Sequence, residues 1–247
     1  MSLRPQGQQA ALRAAALAMG GRTLALPPWR LQRIAGAAAA AGLQRALQAP
    51  AVVFTSPAAV IAAASAPAFG HSPRGPWLAV GAGTLRALRA AGVTHAQAPE
   101  RMDSEGLLAL PALGAVQGRQ VGLVTAPGGR GAIAETLQAR GAEVLRADVY
   151  RRVPVRLSAR ALSRLAQAPR PWLLAVSSGE ALQRTWAQLA PAWQQCWRAH
   201  MQVVVASERL QRQAHALGLV SVSVADGPTP AQLLAACAAI LDGRQDG

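Results

Sequence analysis

Gln120-Val121-Gly122-Leu123-Val124-Thr125-Ala126-Pro127-Gly128-Gly129-Arg130-Gly131-Ala132-Ile133-Ala134-Glu135-Thr136-Leu137-Gln138-Ala139-Arg140 holds the structural unit from which the fold can be read. Residues 120–125 form a short β-branched run, continuously apolar in its centre, which predicts a buried strand. From 132 to 140 the apolar residues recur near every 3.6 positions, the period of a helix. The same order recurs on both sides. Residues 51–55, 77–80, 172–177, 202–206 and 220–225 read as further buried strands, and 57–66, 84–91, 179–189, 209–217 and 230–241 as the helices that follow them. Regular alternation with apolar strands implies parallel sheets covered by helices on both faces, so the fold class is α/β.

At 247 residues the chain exceeds the usual single domain of about 100–150, and two compact lobes are expected. A weak internal repeat supports them. Val80-Gly81-Ala82-Gly83-Thr84, a helix, Gly92 and Ser104 before Leu107-Leu108 find a counterpart in Ala206-Ser207-Glu208-Arg209, a helix, Gly218 and Thr229-Pro230 before Leu233-Leu234. Upstream of each copy, Phe54-Thr55-Ser56 and Val176-Ser177-Ser178 both lead into helices. Between the halves, residues 143–155 read as one long extended connector. The segment 23–31, with Pro27-Pro28, can pair beside it because proline is tolerated at sheet edges.

Apolar residues make up 51% of the chain but aromatics only 4%, so the core must be built mainly from Leu, Val and Ala. The formal charge is +14, all 25 basic residues are arginine, and the pI is near 11.8. Such an excess has two sources: a polyanionic partner, or the Ala-, Arg- and Gly-rich coding of a GC-rich genome. The arginines are scattered along helices rather than interleaved with aromatics, which argues against nucleic acid. Cys196 and Cys237 are far apart, without a CxxC, as in a reducing compartment. The apolar stretch 10–19 is broken by Arg13 and lacks a leader's basic start and cleavage site. The alanine run 34–43 is far shorter than the roughly 20 apolar residues that span a bilayer. Neither a signal peptide nor a membrane span is expected.

Small hydroxyl residues cluster where strands give way to helices: Ser56 before Pro57, Ser177-Ser178-Gly179, Ser207, and Thr229 before Pro230. Each fits an N-cap. Each also stands at the strand end where open parallel sheets bind ligands, beside helix amides suited to carboxylates or phosphates. Two such lobes facing one another would enclose an anion-binding cleft. Gly128 to Arg130 offers either a flexible backbone cradle with a guanidinium beside it or a simple turn with a solvated arginine; no Gly-Lys-Ser/Thr follows, so it is not a nucleotide loop. Gly81-Ala82-Gly83 fails as a dinucleotide motif because Arg86 holds the third glycine's place. His71, His95, His200 and His215 have no metal-ligand spacing, and no serine lies in a GxSxG elbow. Tyr150, the sole tyrosine, lies in the connector, either packed structurally or acting as a donor towards the cleft.

From Arg4-Pro5 onward the chain resembles the uroporphyrinogen-III synthases. The matching pieces are residues 54–60, Val80-Gly81 with Thr84, Ser104-Glu105-Gly106-Leu107-Leu108, Gly128 to Arg130, Arg140-Gly141-Ala142-Glu143-Val144, Val149-Tyr150-Arg151-Arg152 and Ser207-Glu208-Arg209. Each is weak alone; their order is specific. The resemblance implies two α/β lobes joined by a two-stranded β ladder, with the active-site cleft between them. On this sequence it implies one discontinuous lobe (1–26 and 156–247), an inserted lobe (33–148), and connecting strands at 27–32 and 149–155. It implies a cofactor-free cytoplasmic lyase of tetrapyrrole (haem and sirohaem) synthesis that closes hydroxymethylbilane, which bears eight carboxylates, with inversion of ring D. Expected too are a monomer and transient contact with hydroxymethylbilane synthase, the substrate's source.

The resemblance makes Tyr150 the candidate for assisting hydroxyl departure, since a phenol can donate a proton. Ser56, Thr84, Gly129, Arg130, Ser177, Ser178, Gly179, Ser207 and Arg209 become the expected substrate contacts. One departure stands out. Family members usually carry a full strand before Arg-Pro, whereas only three residues precede Arg4, so the expected reading is a start assigned too far downstream or a natural truncation. The remaining alternative is a two-lobed anion- or tetrapyrrole-binding protein without turnover.

Overall fold

The computed structural model of the chain describes residues 1–70, 75–128 and 131–242. It divides into two compact units, Met1–Arg30 with Val153–Gly247, and Leu31–Arg152. The chain opens in the first unit with α1 (Ala10–Ala18) and leaves it along β1 (Trp29–Arg33). It then builds the second from α2 (Ala37–Leu47), β2 (Ala51–Phe54), α3 (Pro57–Ala64), β3 (Trp77–Ala79), α4 (Ala82–Ala90), α5 (Ser104–Leu108), β4 (Gln120–Thr125), α6 (Ala132–Ala139) and β5 (Glu143–Asp148). Returning along β6 (Tyr150–Pro154), it completes the first with α7 (Ala159–Ala166), β7 (Trp172–Val176), α8 (Gly179–Trp186), α9 (Pro191–His200), β8 (Met201–Val205), α10 (Glu208–Ala216), β9 (Val222–Val224) and α11 (Pro230–Asp242). The crossing strands β1 and β6 pair with each other. They run antiparallel, since Ile34 N donates to Val149 O at one end and Val155 N to Pro28 O at the other.

In the 31–152 unit the sheet order is β3-β2-β4-β5, all parallel. Because side chains alternate across a strand, β2 feeds two cores. Val52 and Phe54 pack with Leu43, Ala46, Val60 and Trp77; Val53 packs with Leu107, Leu123, Ile133 and Leu137. Phe54, Phe69 and Trp77 meet with ring centroids 4.9–6.2 Å apart. Gly122 sits mid-strand in β4 for a steric reason: a Cβ there would lie 2.0 Å from the carbonyl oxygen of Ala46, so α2 rests almost directly on the strand.

The other unit has the parallel order β7-β8-β9, extended by Ser2, which bridges Ala175 on one side and Ala25 on the other. Read across, its sheet runs β9, β8, β7, Ser2, Ala25. The 31–152 sheet runs Gln97 (bridged to Leu78), β3, β2, β4, β5. The two orders correspond position for position. In the first unit the last two positions come first along the chain, so the two units are permuted copies of one plan. Local details follow the correspondence: Ser56 and Ser178 each accept a hydrogen bond from the amide three residues on, and Gly7 and Gly128 both adopt positive φ after their strands.

Some expectations are corrected. The stretch 143–155 is two strands rather than one connector, because β5 is the outer strand of the 31–152 sheet and only β6 crosses. The helices α2 and α9 fall where no helix was expected; α9 begins with Pro191, whose missing N–H costs nothing at a first helical position. The predicted strand 220–225 shortens to Val222–Val224, and α4 begins at Ala82 rather than Thr84. Among the described residues no helix is long and apolar enough to cross a membrane.

Candidate functional site

At the carboxyl end of β2, the hydroxyl of Thr55 donates to that of Thr125 on the neighbouring strand at 2.8 Å. The next residue, Ser56, is extended (φ −162°) and caps α3, its Oγ accepting from Ala59 N at 3.1 Å with Pro57 following. The same oxygen lies 3.1 Å from the phenol oxygen of Tyr150. Sequence therefore brings together two residues 94 apart: one from a strand-to-helix turn, the other from the start of β6. The ring of Tyr150 packs in the apolar core with Phe54, Val124 and Val149, and the residue is 7% exposed. Its hydroxyl meets Ser56 just beyond the end of β2.

Ser56 Oγ accepts an amide proton and keeps both a proton and a second lone pair for the phenol, so either hydroxyl can donate across the contact. When Ser56 donates, the phenol proton is available to an acceptor on a ligand, and Ser56 steadies the charge left on the oxygen when that proton departs. Beside this rim, Arg146 is engaged by Asp148 at 3.0 Å and by the carbonyl of Ala126.

The other expected contacts in this unit fare differently. Thr84 lies in the first turn of α4, only 2% exposed, with its amide donating to Gly81 O. The Pro127-Gly128 turn has Gly128 at φ +75°, while Gly129 and Arg130 lie outside the described residues.

In the first unit β7 and β8 end side by side, with Ala206 N donating to Val176 O, so α8 and α10 start next to one another. Ser177 is exposed; Ser178 is half-buried and caps α8, its Oγ accepting from Ala181 N at 3.3 Å. Gly179 is buried, and a Cβ on it would meet the carboxamide oxygen of Gln213 at 2.0 Å. Ser207 precedes α10 in an extended conformation (φ −170°), and its hydroxyl makes no capping bond. Arg209 is exposed in the first turn of α10. Ser177, Ser178, Gly179 and Ser207 thus share one rim, where amides without helical partners favour an anion.

Arg4, part of the Arg4-Pro5 motif, follows Ser2 at this same end of the sheet. It is half-buried, and burial lowers its pKa from the ordinary guanidinium value. No carboxylate among the described residues pairs with it. A desolvated cation without a protein counter-ion is the feature that would have flagged it. No sequence signal reveals that, since desolvation depends on the permuted strand order.

Comparison with known proteins follows the same lines. The family profile described as Uroporphyrinogen-III synthase HemD matches residues 10–235. The uroporphyrinogen-III synthase of Escherichia coli (strain K12) is 34% identical over 166 residues, 66% of this chain and 68% of that protein. That of Salmonella typhimurium is 35% identical over 162 residues, 65% of this chain and 65% of that protein. The chain therefore spans about two thirds of each relative's length. Among solved structures, a mutant uroporphyrinogen III synthase from the extremely thermophilic bacterium Thermus thermophilus aligns with TM-score 0.62 at 18% identity, covering 98% of both chains. A uroporphyrinogen-III synthetase from Helicobacter pylori 26695 aligns with TM-score 0.60 at 12% identity, covering 87% of this chain and 92% of that one. At such identities the structural likeness speaks for the fold.

Proposed function

The chain belongs to the uroporphyrinogen-III synthase family, and we propose on that basis that it closes linear hydroxymethylbilane to uroporphyrinogen III, inverting ring D and releasing water. The observation that carries the site assignment is the 3.1 Å contact of Tyr150 with Ser56 at a strand-end rim. In the proposed reaction Tyr150 gives its proton to the departing hydroxyl on ring A, whose pyrrole nitrogen supplies the electrons, leaving an azafulvenium cation and water. The substituted α-carbon of ring D attacks that cation and forms a spiro-pyrrolenine. The older bond from this carbon to its bridge then breaks, placing an azafulvenium on ring C, and the free α-carbon of ring D closes on it. Loss of a proton from that carbon restores the aromatic pyrrole and reprotonates the phenolate. Atoms and charge balance with water as the sole by-product, and no electrons are exchanged with an outside group.

No step requires a protein nucleophile, so the remaining work is positional. The amide ends of α3 and α8, with Ser178, Ser207 and Arg4, suit the carboxylates of the substrate. We place the enzyme in the cytoplasm as a monomer, receiving its substrate through transient contact with hydroxymethylbilane synthase; its free cysteines, half-buried Cys196 and buried Cys237, suit a reducing compartment. The test is incubation of the purified chain with hydroxymethylbilane, oxidation of the products to porphyrins and separation of the isomers. The type III isomer should form faster than spontaneous closure. Type I alone, at the uncatalysed rate, would refute the proposal.

A further inference from the structure

Outside the two rims, one cavity of about 430 Å³ is lined by three arginines from two helices: Arg13 of α1, and Arg160 and Arg164 of α7. Thr23, Leu24 and Ala25 at the edge of the sheet line it as well, together with Ser158, which caps α7. It shares no lining residue with the rim turns. Among the described residues no carboxylate forms an ion pair with any of the three guanidinium groups.

This placement works against the helix that carries it. Arg160 occupies the second position of α7, where the positive end of the helix dipole repels a cation and an acidic residue is the stabilising choice. Arg160 and Arg164 stand one turn apart, the spacing at which like charges on a helix repel. Arg13 adds a third positive charge from α1, and neither α1 nor α7 contains an acidic residue. All three arginines are exposed, so solvent screens these penalties in part; a bound oxyanion removes what remains of all three, and planar guanidinium forks match its geometry.

We propose that this cavity is an oxyanion-binding site in its own right, with Arg13, Arg160 and Arg164 as its ligands and the hydroxyl of Thr23 and the first amides of α7 as supporting donors. The anion is a multiply charged carboxylate or phosphate. It is either a carboxylate group of the tetrapyrrole substrate or a separate small anion; the chemistry of recognition is shared.

The experiment compares the parent chain with R160Q/R164Q and R13Q in buffer of low ionic strength free of phosphate, using citrate and inorganic phosphate as probes in calorimetric titration and thermal melting. The parent should bind at least one probe and melt at a higher temperature in its presence. The double variant should bind it at least tenfold more weakly, and R13Q should be weakened as well. Without anion, the double variant should melt at or above the parent's temperature, because the repulsion has been removed. Equal binding by parent and variants would overturn the site, as would a double variant that melts well below the parent, which would make the arginines structural. The KM for hydroxymethylbilane assigns the source: a several-fold rise in the double variant at unchanged kcat identifies a substrate carboxylate, and an unchanged KM with lost probe binding identifies a separate anion. The binding and melting readouts do not depend on turnover, so they stand or fall apart from the proposed reaction.

Discussion

At the residue scale, the contact between Ser56 and Tyr150 separates two roles that the sequence left merged. Ser56 is both an N-cap and the partner of the phenol, so Ser56→Ala should cost about 1 kcal/mol of stability through the cap and lower kcat only modestly. Tyr150→Phe removes the proton itself; kcat should fall by about 10² or more while the circular dichroism spectrum and melting temperature stay close to those of the parent. A Tyr150→Phe enzyme with full kcat would transfer the acid role to water or to the substrate's own carboxylates. Arg4 makes a different prediction because it would bind rather than react. Arg4→Gln should raise KM about tenfold, the worth of one charged hydrogen bond, with kcat and isomer ratio little changed; steady-state kinetics on both variants distinguishes the two behaviours. Tyr150 could be singled out in the sequence because it is the sole tyrosine and sits in a recognisable motif, and Ser56 because a serine before a proline marks a helix start. Their meeting could not, since it depends on how β6 leaves the sheet beside β2.

At the element scale, the strand-to-helix turns were the most legible part of the chain. Continuous apolar runs such as residues 120–125 mark buried parallel strands, and all six predicted strands are present with ends shifted by a few residues. Harder to read were elements whose burial is incomplete or whose composition is uniform. The alanines of α2 give little periodic contrast, and the exposed positions of β5 made it look like part of the connector. The contact of α2 with β4 yields a direct test. Gly122→Ala puts a methyl group 2.0 Å from the Ala46 carbonyl, so α2 must shift, at a cost of about 1–3 kcal/mol typical of overpacking. Urea denaturation should show that loss with an unchanged slope. A variant as stable as the parent would mean that the helix is held less tightly against the sheet than this packing requires.

At the scale of the whole molecule, the chain is two permuted copies of one five-position sheet, in which Ser2 and Ala25 stand where the second copy has the full strands β4 and β5. The internal repeat legible in the sequence spans only the part of each copy that runs in the same chain order; the permuted part breaks that order and leaves no such signal. In each copy one strand ends in a serine that caps the following helix, Ser56 before α3 and Ser178 before α8. The central claim is that ring D turns over during closure. It is tested most directly with hydroxymethylbilane carrying ¹³C at both the hydroxymethyl carbon and the substituted α-carbon of ring D. Inversion joins those two atoms, so the product's ¹³C spectrum should show each as a doublet from one-bond coupling; two singlets, the pattern of closure without inversion, would contradict the account.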